Sequence, residues 1–420
     1  LKNLFIIAPH FPPSALPPAQ RVRLLVRHCK ENGVIPYIFT VNHKYREELS
    51  DEWMVELTGS DYVLFETKCF NPKYTRKIGI GDLGLRMAPF LFFKLIKKSI
   101  QLKPDFILYP VPPWYILVIA PFVKFFTGIK YGIDFIDPWV HEDENSNNKF
   151  KYRVSQWIAR QLEGFVIRNA SIIFSVSEGI NSNIVKRHPS LSNIPMYALP
   201  YGAEPDDFIN FKITPNEKIT IRYIGAIWGD CYPVLDGIMP ALAQLNQEIP
   251  INLEFYGTSY AGANLAKQQL QPWFQKNQMD SFAQEQALRV TYKEAVNLTM
   301  TSDLLFLIGG MQPYYAASKL MGLIVSKKPF LAFVHENSFP AHFLKNIGYK
   351  YIITYSSEKN NLPIEKTQEV KTTLKRLIQD INEFEPVNTD HPLVSQHTAN
   401  GMAQSFLQNI KKTLNDENIF

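Results

Sequence analysis

Cysteine is scarce in this chain, with only Cys29, Cys69 and Cys231 among 420 residues. Their odd number and wide spacing exclude a disulfide framework and a zinc pattern, so a reducing compartment is expected. No apolar run reaches the roughly 18 residues of a membrane-crossing helix. The nearest, from Trp114 to Val123, is interrupted by Pro121 and bounded by Pro113 and Lys124. There is no HExxH, no metal-spaced Cys/His set and no DxD after a strand, which leaves metal catalysis without support, and no G-x-S-x-G elbow for an acyl-transfer serine. The lack of a dense basic tract or recognition module argues against nucleic acid as a partner. The first strand begins within a few residues of Leu1, leaving no room for a signal peptide; a cytoplasmic location is the expectation.

What is present is ordinary globular material: 46% hydrophobic and 20% charged residues, enough for two full cores. The whole net charge of +5 lies in residues 1–210 and the remainder is neutral, an asymmetry that points to an anionic partner for the first half. Short apolar runs alternate with helical patterns: Leu4–Ala8, Ile35–Val41, Tyr62–Glu66, Phe106–Tyr109, Tyr131–Phe135, Ile172–Val176 and Met196–Leu199. A second series follows a Pro-, Gly- and Asp-rich stretch: Ile219–Ile224, Ile251–Tyr256, Val290–Tyr292, Leu304–Ile308, Phe330–Phe333 and Tyr351–Thr354. This predicts an α/β chain of two Rossmann-like, doubly wound domains facing one cleft: residues 1–209, residues 210–400, and a tail, 401–420, whose helical spacing packs it back on the body. In such sheets ligands sit beyond the carboxyl ends of the strands, so the loops there are where chemistry is sought.

The opening loop of the first domain, "APHFPPSALPPAQR", carries Ser14 and leads to Arg21. "YGIDFIDPWVHE" places Asp134 and Asp137 at a strand end with Trp139 and His141 beyond; carboxylates there can accept sugar hydroxyls or a proton, and an indole can stack on a pyranose. Alternatively Asp137 organises the turn before Pro138. The one GxGxxG, at Gly79, Gly81 and Gly84, follows a charged loop rather than a strand and reads as a decoy. Beside it the segment Arg86–Lys103 is a basic amphipathic helix in which Lys94, Lys97 and Lys98 share a face; it suits an anionic membrane surface, which would make the protein peripheral on the inner face, or else it simply covers the sheet. "HEDENSNNK" (residues 141–149) reads as a mobile loop. In the second domain, Gly225, Ala226 and Gly229 follow the first strand and Gly257 the second, giving backbone amides close access to a phosphate. Ser318 and Lys319 open a helix, where free N–H groups and a cation favour an anion; the alternative is that Ser318 merely caps it.

Taken in order, these pieces resemble the GT-B glycosyltransferases, in particular the family 4-like group that builds bacterial surface polysaccharides. "DFIDPW" is similar to that group's "DFRDPW", "SVSEGI" and "LPYGAEPDDF" resemble its "TVSxxL" and "xPNGxDxxxF", and "SKLMGLIVSKKPFLAF" resembles its donor-binding helix. The resemblance implies a nucleoside-diphosphate sugar in the second domain and a glycan or lipid-linked acceptor in the first. Transfer would be retaining and without bound metal or cofactor. Lys319 and the amides near Gly225 would stabilise the departing diphosphate, with Ser318, Gly257 and Arg222 on the donor side. Asp137 would position or deprotonate the acceptor, with Ser14, Arg21, Asp134 and Trp139 around it. The chain departs from the group at Gly322, where a ribose-binding glutamate is usual, in "GGMQPYY", which lacks the upstream glutamate, and at "LYPVPP", which replaces a histidine. Those losses keep two other readings open: a non-catalytic module of a polysaccharide-assembly complex and a nucleotide-sugar epimerase.

Overall fold

The structure is a computed structural model that describes every residue except Glu47, 141–149, 212–214, 260–264, 314–317 and 416–420, and the side chains of 78, 150 and 151. The expected loop at 141–149, with His141, lies outside the described residues. The chain divides into two compact units, Leu1–Pro200 with Ala399–Phe420, and Tyr201–Thr398. The sequence reading places its divide near Asn210.

The first unit holds a sheet of seven strands: β1 (Asn3–Ile7), β2 (Ile35–Val41), β3 (Val63–Thr67), β4 (Phe106–Val111), β5 (Tyr131–Phe135), β6 (Ile172–Ser175) and β7 (Met196–Ala198). Their order is β3-β2-β1-β4-β5-β6-β7, and all pairs are parallel. Parallel strands covered on both faces are mostly apolar, and β4 and β5 are buried at every position, the one charge, Asp134, included. The helix Ala399–Asn415 belongs to this unit; its Met402, Phe406 and Ile410 join a core with Phe11, Leu25 and Phe174.

The second unit repeats the plan with β8 (Ile219–Ile224), β9 (Ile251–Tyr256), β10 (Ala283–Gln286), β11 (Leu304–Ile308), β12 (Phe330–His335) and β13 (Ile352–Tyr355), ordered β10-β9-β8-β11-β12-β13. The expected strand Val290–Tyr292 is absent, since Tyr292 begins the helix Tyr292–Met300. β10 lies earlier and is the polar edge strand AQEQ, half-buried and exposed in alternation. In both sheets the strand order reverses beside the first strand, between β1 and β4 and between β8 and β11, and these switch points are where open α/β sheets bind ligands.

The Arg86–Lys103 expectation needs correction in detail. The helix is Leu83–Leu102, but Arg86 is buried and donates to the Phe70 carbonyl, and the Lys94 and Lys98 ammonium groups lie over the Phe65 ring at 5.8 and 4.7 Å. Three cations of the stretch are thus taken up by neighbours, while Lys97 stays exposed.

Candidate functional site

At the second sheet's switch point, the chain leaves β8 at Gly225 with φ +149°. A β-carbon there would lie 1.4 Å from the Nζ of Lys319, so only glycine leaves room for the ammonium. Lys319 stands just before the short helix Leu320–Val325 and comes back over the sheet end, its Nζ 4.3 Å from the centroid of the Tyr223 ring. No carboxylate is bonded to it among the described residues. Burial pushes the Lys319 ammonium down to about 7; the nearby Cys231 opposes this weakly and Arg289 adds to it by like-charge repulsion. Cys231 itself is driven up to about 12 by burial. Among the described residues, a cation set against a ring, a glycine and a protonated thiol has few favourable partners, and a ligand anion would supply one.

The loops around Lys319 are tied together. Gly225 N donates to Tyr256 O (2.7 Å), Ile227 N to Thr258 O (2.8 Å) and Gly257 N to Gln286 O (2.8 Å). The amides of Gly225 and Gly257, expected to meet a phosphate, are therefore engaged with neighbouring carbonyls. What Gly225 offers is space. Ala226 accepts the Tyr223 hydroxyl at 2.9 Å, and Gly229 is exposed at the start of a short turn. Met311 N donates to Asp230 O (3.2 Å), joining the loop after β11 to that after β8. Ser318 is exposed and makes no capping hydrogen bond, since Lys319 holds the cap position.

Arg222 points elsewhere. Strand neighbours face opposite sides, and while Tyr223 carries Lys319, the Arg222 guanidinium bonds Glu254 (2.5 Å), Thr301 (3.1 Å) and Ser302 (3.3 Å). The structure does not bring Arg222 to Lys319. Arg289, which the sequence reading passed over, is the cation that approaches: its Cα lies 3.7 Å from where a Gly257 β-carbon would be, and its charge acts on Lys319. Its position three residues past an unrecognised edge strand hid it.

In the first unit, the expected acceptor residues are drawn inward. Arg21 Nε and Nη2 donate to Asp134 at 2.6 and 2.9 Å, both side chains are almost fully buried, and the guanidinium lies 5.1 Å from the Phe406 centroid. The two residues neutralise each other beneath the C-terminal helix rather than facing a ligand. Trp139 is buried with its ring edge-on to Tyr115 at 5.5 Å, so it presents no open stacking face. Ser14 is buried and pairs its backbone with Ser50. Asp137 remains exposed, and its carbonyl accepts the Trp114 indole N–H at 3.1 Å.

The loop after β1 supplies a group that the sequence reading did not single out. His10 Nδ1 lies 2.8 Å from Glu48 Oε1, with side-chain exposures of 14% and 13%. Burial alone would raise the Glu48 carboxyl, but the His10 hydrogen bond and charge outweigh it and hold the group at about 2. An imidazole oriented by a carboxylate at a sheet's switch point can accept a proton. Its only signal in sequence is its place in the opening loop.

No metal-holding group of His, Cys, Asp and Glu occurs among the described residues. No protein-family model matches the sequence, and no curated protein matches it. Among solved structures, the chain is similar to a glycosyltransferase from Rickettsia africae ESF-5, with TM-score 0.63 and 13% identity over 98% of each chain. It is similar to HepE of Anabaena in complex with UDP-glucose, with TM-score 0.62 and 11% identity over 98% of this chain and 100% of that one. A UDP-GlcNAc 2-epimerase from Methanocaldococcus jannaschii aligns with TM-score 0.52 and 9% identity over 98% and 100%. These likenesses, with two parallel doubly wound units of seven and six strands, show that the chain has the GT-B fold.

Proposed function

We propose that this chain is a glycosyltransferase that moves a sugar from a nucleoside-diphosphate donor, held by the second unit, to a hydroxyl of a glycan or lipid-linked acceptor held by the first. The observation that carries the reading is Lys319, an enclosed ammonium at the β8/β11 switch point with a glycine in place of any side chain that would block it. In the reaction, the bond from the anomeric carbon to the diphosphate breaks and its electron pair goes to the phosphate oxygen. Lys319, with Arg289 nearby, stabilises that charge. The acceptor oxygen bonds to the anomeric carbon and gives up its proton to His10, oriented by Glu48, or to Asp137. Retention of configuration, independence of a metal and a role in surface polysaccharide assembly follow from the sequence resemblance and form part of the proposal.

Support comes from the HepE neighbour, which was crystallised with UDP-glucose. The test is a titration of the protein with nucleoside diphosphates, followed by turnover of the sugar donor that binds. Lys319→Ala should lower turnover by about a hundredfold or more while the fold is kept; unchanged turnover removes Lys319 from the mechanism. The epimerase neighbour favours a second reading, in which a donor is converted with no acceptor present. Product formed from donor alone, with an altered sugar, would select it. Gly322 favours a third, a binding module without catalysis: no melting shift with any nucleoside diphosphate would select that one.

A further inference from the structure

The helices Leu83–Leu102, Ala120–Thr127 and Phe150–Asn169 lie side by side, joined by ring contacts between Phe92 and Phe126 (6.0 Å) and between Phe122 and Phe165 (6.1 Å). Their outer face is apolar to an extent that a sheet-covering layer does not need. Phe125 is 81% exposed, Phe93 72%, Ile100 67% and Trp157 65%. Phe93, Lys97 and Ile100 form one stripe at helical spacing, and Val154, Ile158 and Phe165 another.

The charge on this face has one sign. The first two helices contain no acidic residue, and the third contains only Glu163, which is fully buried and held by Arg187 at 2.9 Å and His188 at 3.1 Å. Lys97, Arg153, Arg160 and Arg168 are exposed. Exposed aromatic rings interleaved with cations, with no exposed carboxylate among the described residues of the three helices, fit a surface that is apolar below and anionic above. A second copy of the same face would set cation against cation, which disfavours self-association. No described helix is long and apolar enough to cross a membrane, so the contact is with the surface of a bilayer and not a span.

We infer that the face formed by these three helices docks on an anionic lipid bilayer, with Phe93, Phe125 and Trp157 entering the acyl boundary and the flanking Lys and Arg meeting the headgroups. The inference stands apart from the transfer reaction, because docking is read without donor or acceptor. The experiment is co-sedimentation of the full chain with vesicles of phosphatidylcholine alone and of phosphatidylcholine mixed with phosphatidylglycerol, at low and high salt. The expected result is partition onto the mixed vesicles at low salt and much less onto neutral ones. Phe93→Ser with Phe125→Ser and Trp157→Ser should lower partition by more than about tenfold. Lys97→Glu or Arg160→Glu should lower it by about fivefold or more each. All these side chains are exposed, and an unchanged melting temperature verifies the fold of each variant. Absence of binding to the mixed vesicles, equal binding of the triple variant, or indifference to lipid charge would overturn the inference. So would a dimer, seen by sedimentation, that Phe125→Ser dissociates.

Discussion

The Nζ of Lys319 and the α-carbon face of Gly225 share one volume: a β-carbon on Gly225 would sit 1.4 Å from the ammonium nitrogen. Residues on different strands' loops are thereby made dependent on each other. Gly225→Ala must displace Lys319 and also adopt φ +149°, a backbone conformation that side chains resist. The expected loss is about 1–3 kcal/mol of stability. Lys319→Ala, which removes a poorly partnered cation, should cost less, and the double variant should be more stable than Gly225→Ala alone. Thermal melts of the three variants measure this; simple additivity would disprove the steric coupling.

A pH dependence of the proposed nucleoside-diphosphate binding follows from the same ammonium. With Lys319 lowered to about 7 by burial, an anion beside it must restore its proton above that pH. If the proposed nucleoside-diphosphate donor sits there, its binding at pH 8 should take up a proton, visible as calorimetric heats that vary with the buffer's ionisation enthalpy. Affinity should fall as pH rises through about 7, and Lys319→Met should abolish the proton uptake. The linkage to folding has the opposite sense. Between about 7 and the ordinary lysine value of 10.5 the unfolded chain binds more protons, so Lys319 makes unfolding harder as pH rises across that window.

Glu48 titrates in acid. Its carboxyl is held at about 2 against an ordinary 4.5, so its contribution to stability is present above about 4.5 and lost as pH falls through about 2. Glu48→Gln should lower stability near neutral pH, and the gap from the parent should close in strong acid. If His10 takes the acceptor's proton, His10→Ala should lower kcat by about a hundredfold with little change in donor affinity; a pure loss of donor affinity would contradict that role.

Breaking the Arg21–Asp134 pair should be expensive. Asp134→Ala leaves a guanidinium buried beneath Phe406 without its carboxylate, a change worth about 3–5 kcal/mol. Replacing both, as Arg21→Met with Asp134→Leu, should recover much of the loss. Hydrogen exchange in the helix Ala399–Asn415 should accelerate in the single variant first.

Gly322 is a site of cheap improvement. Among the described residues, a β-carbon there would meet the Phe208 ring alone, at an ordinary 3.6 Å, and glycine inside a helix costs about 0.5–1 kcal/mol relative to alanine. Gly322→Ala should therefore raise the melting temperature, measured by calorimetry without ligand.

The strands were legible because parallel, doubly covered strands are predominantly apolar and carry at most isolated charges such as Asp134, Arg222 and Glu254: Ile35–Val41, Tyr131–Phe135, Ile219–Ile224, Ile251–Tyr256 and Leu304–Ile308 have the bounds read from sequence. β10 was not legible, because an edge strand needs no apolar run; its Glu285 instead accepts hydrogen bonds from the backbone of Gln269 and Leu270. Gly225 and Lys319 could be nominated one at a time from loop composition, but their shared volume arises only when β8 and β11 lie side by side. Arg21 and Asp134 illustrate the converse. A charge at a strand end looks like a ligand group until its counter-charge, far away in sequence, is found beside it. Trp139 likewise follows a strand end but turns into the core against Tyr115.

The path of the chain also orders events in time. Met402, Phe406 and Ile410 complete the core that Phe11, Leu25 and Phe174 begin, and the entire stretch Tyr201–Thr398 is synthesised before they exist. The first unit's core is therefore complete only once the end of the chain is present, whereas the inserted unit holds all six strands of its sheet in one continuous stretch.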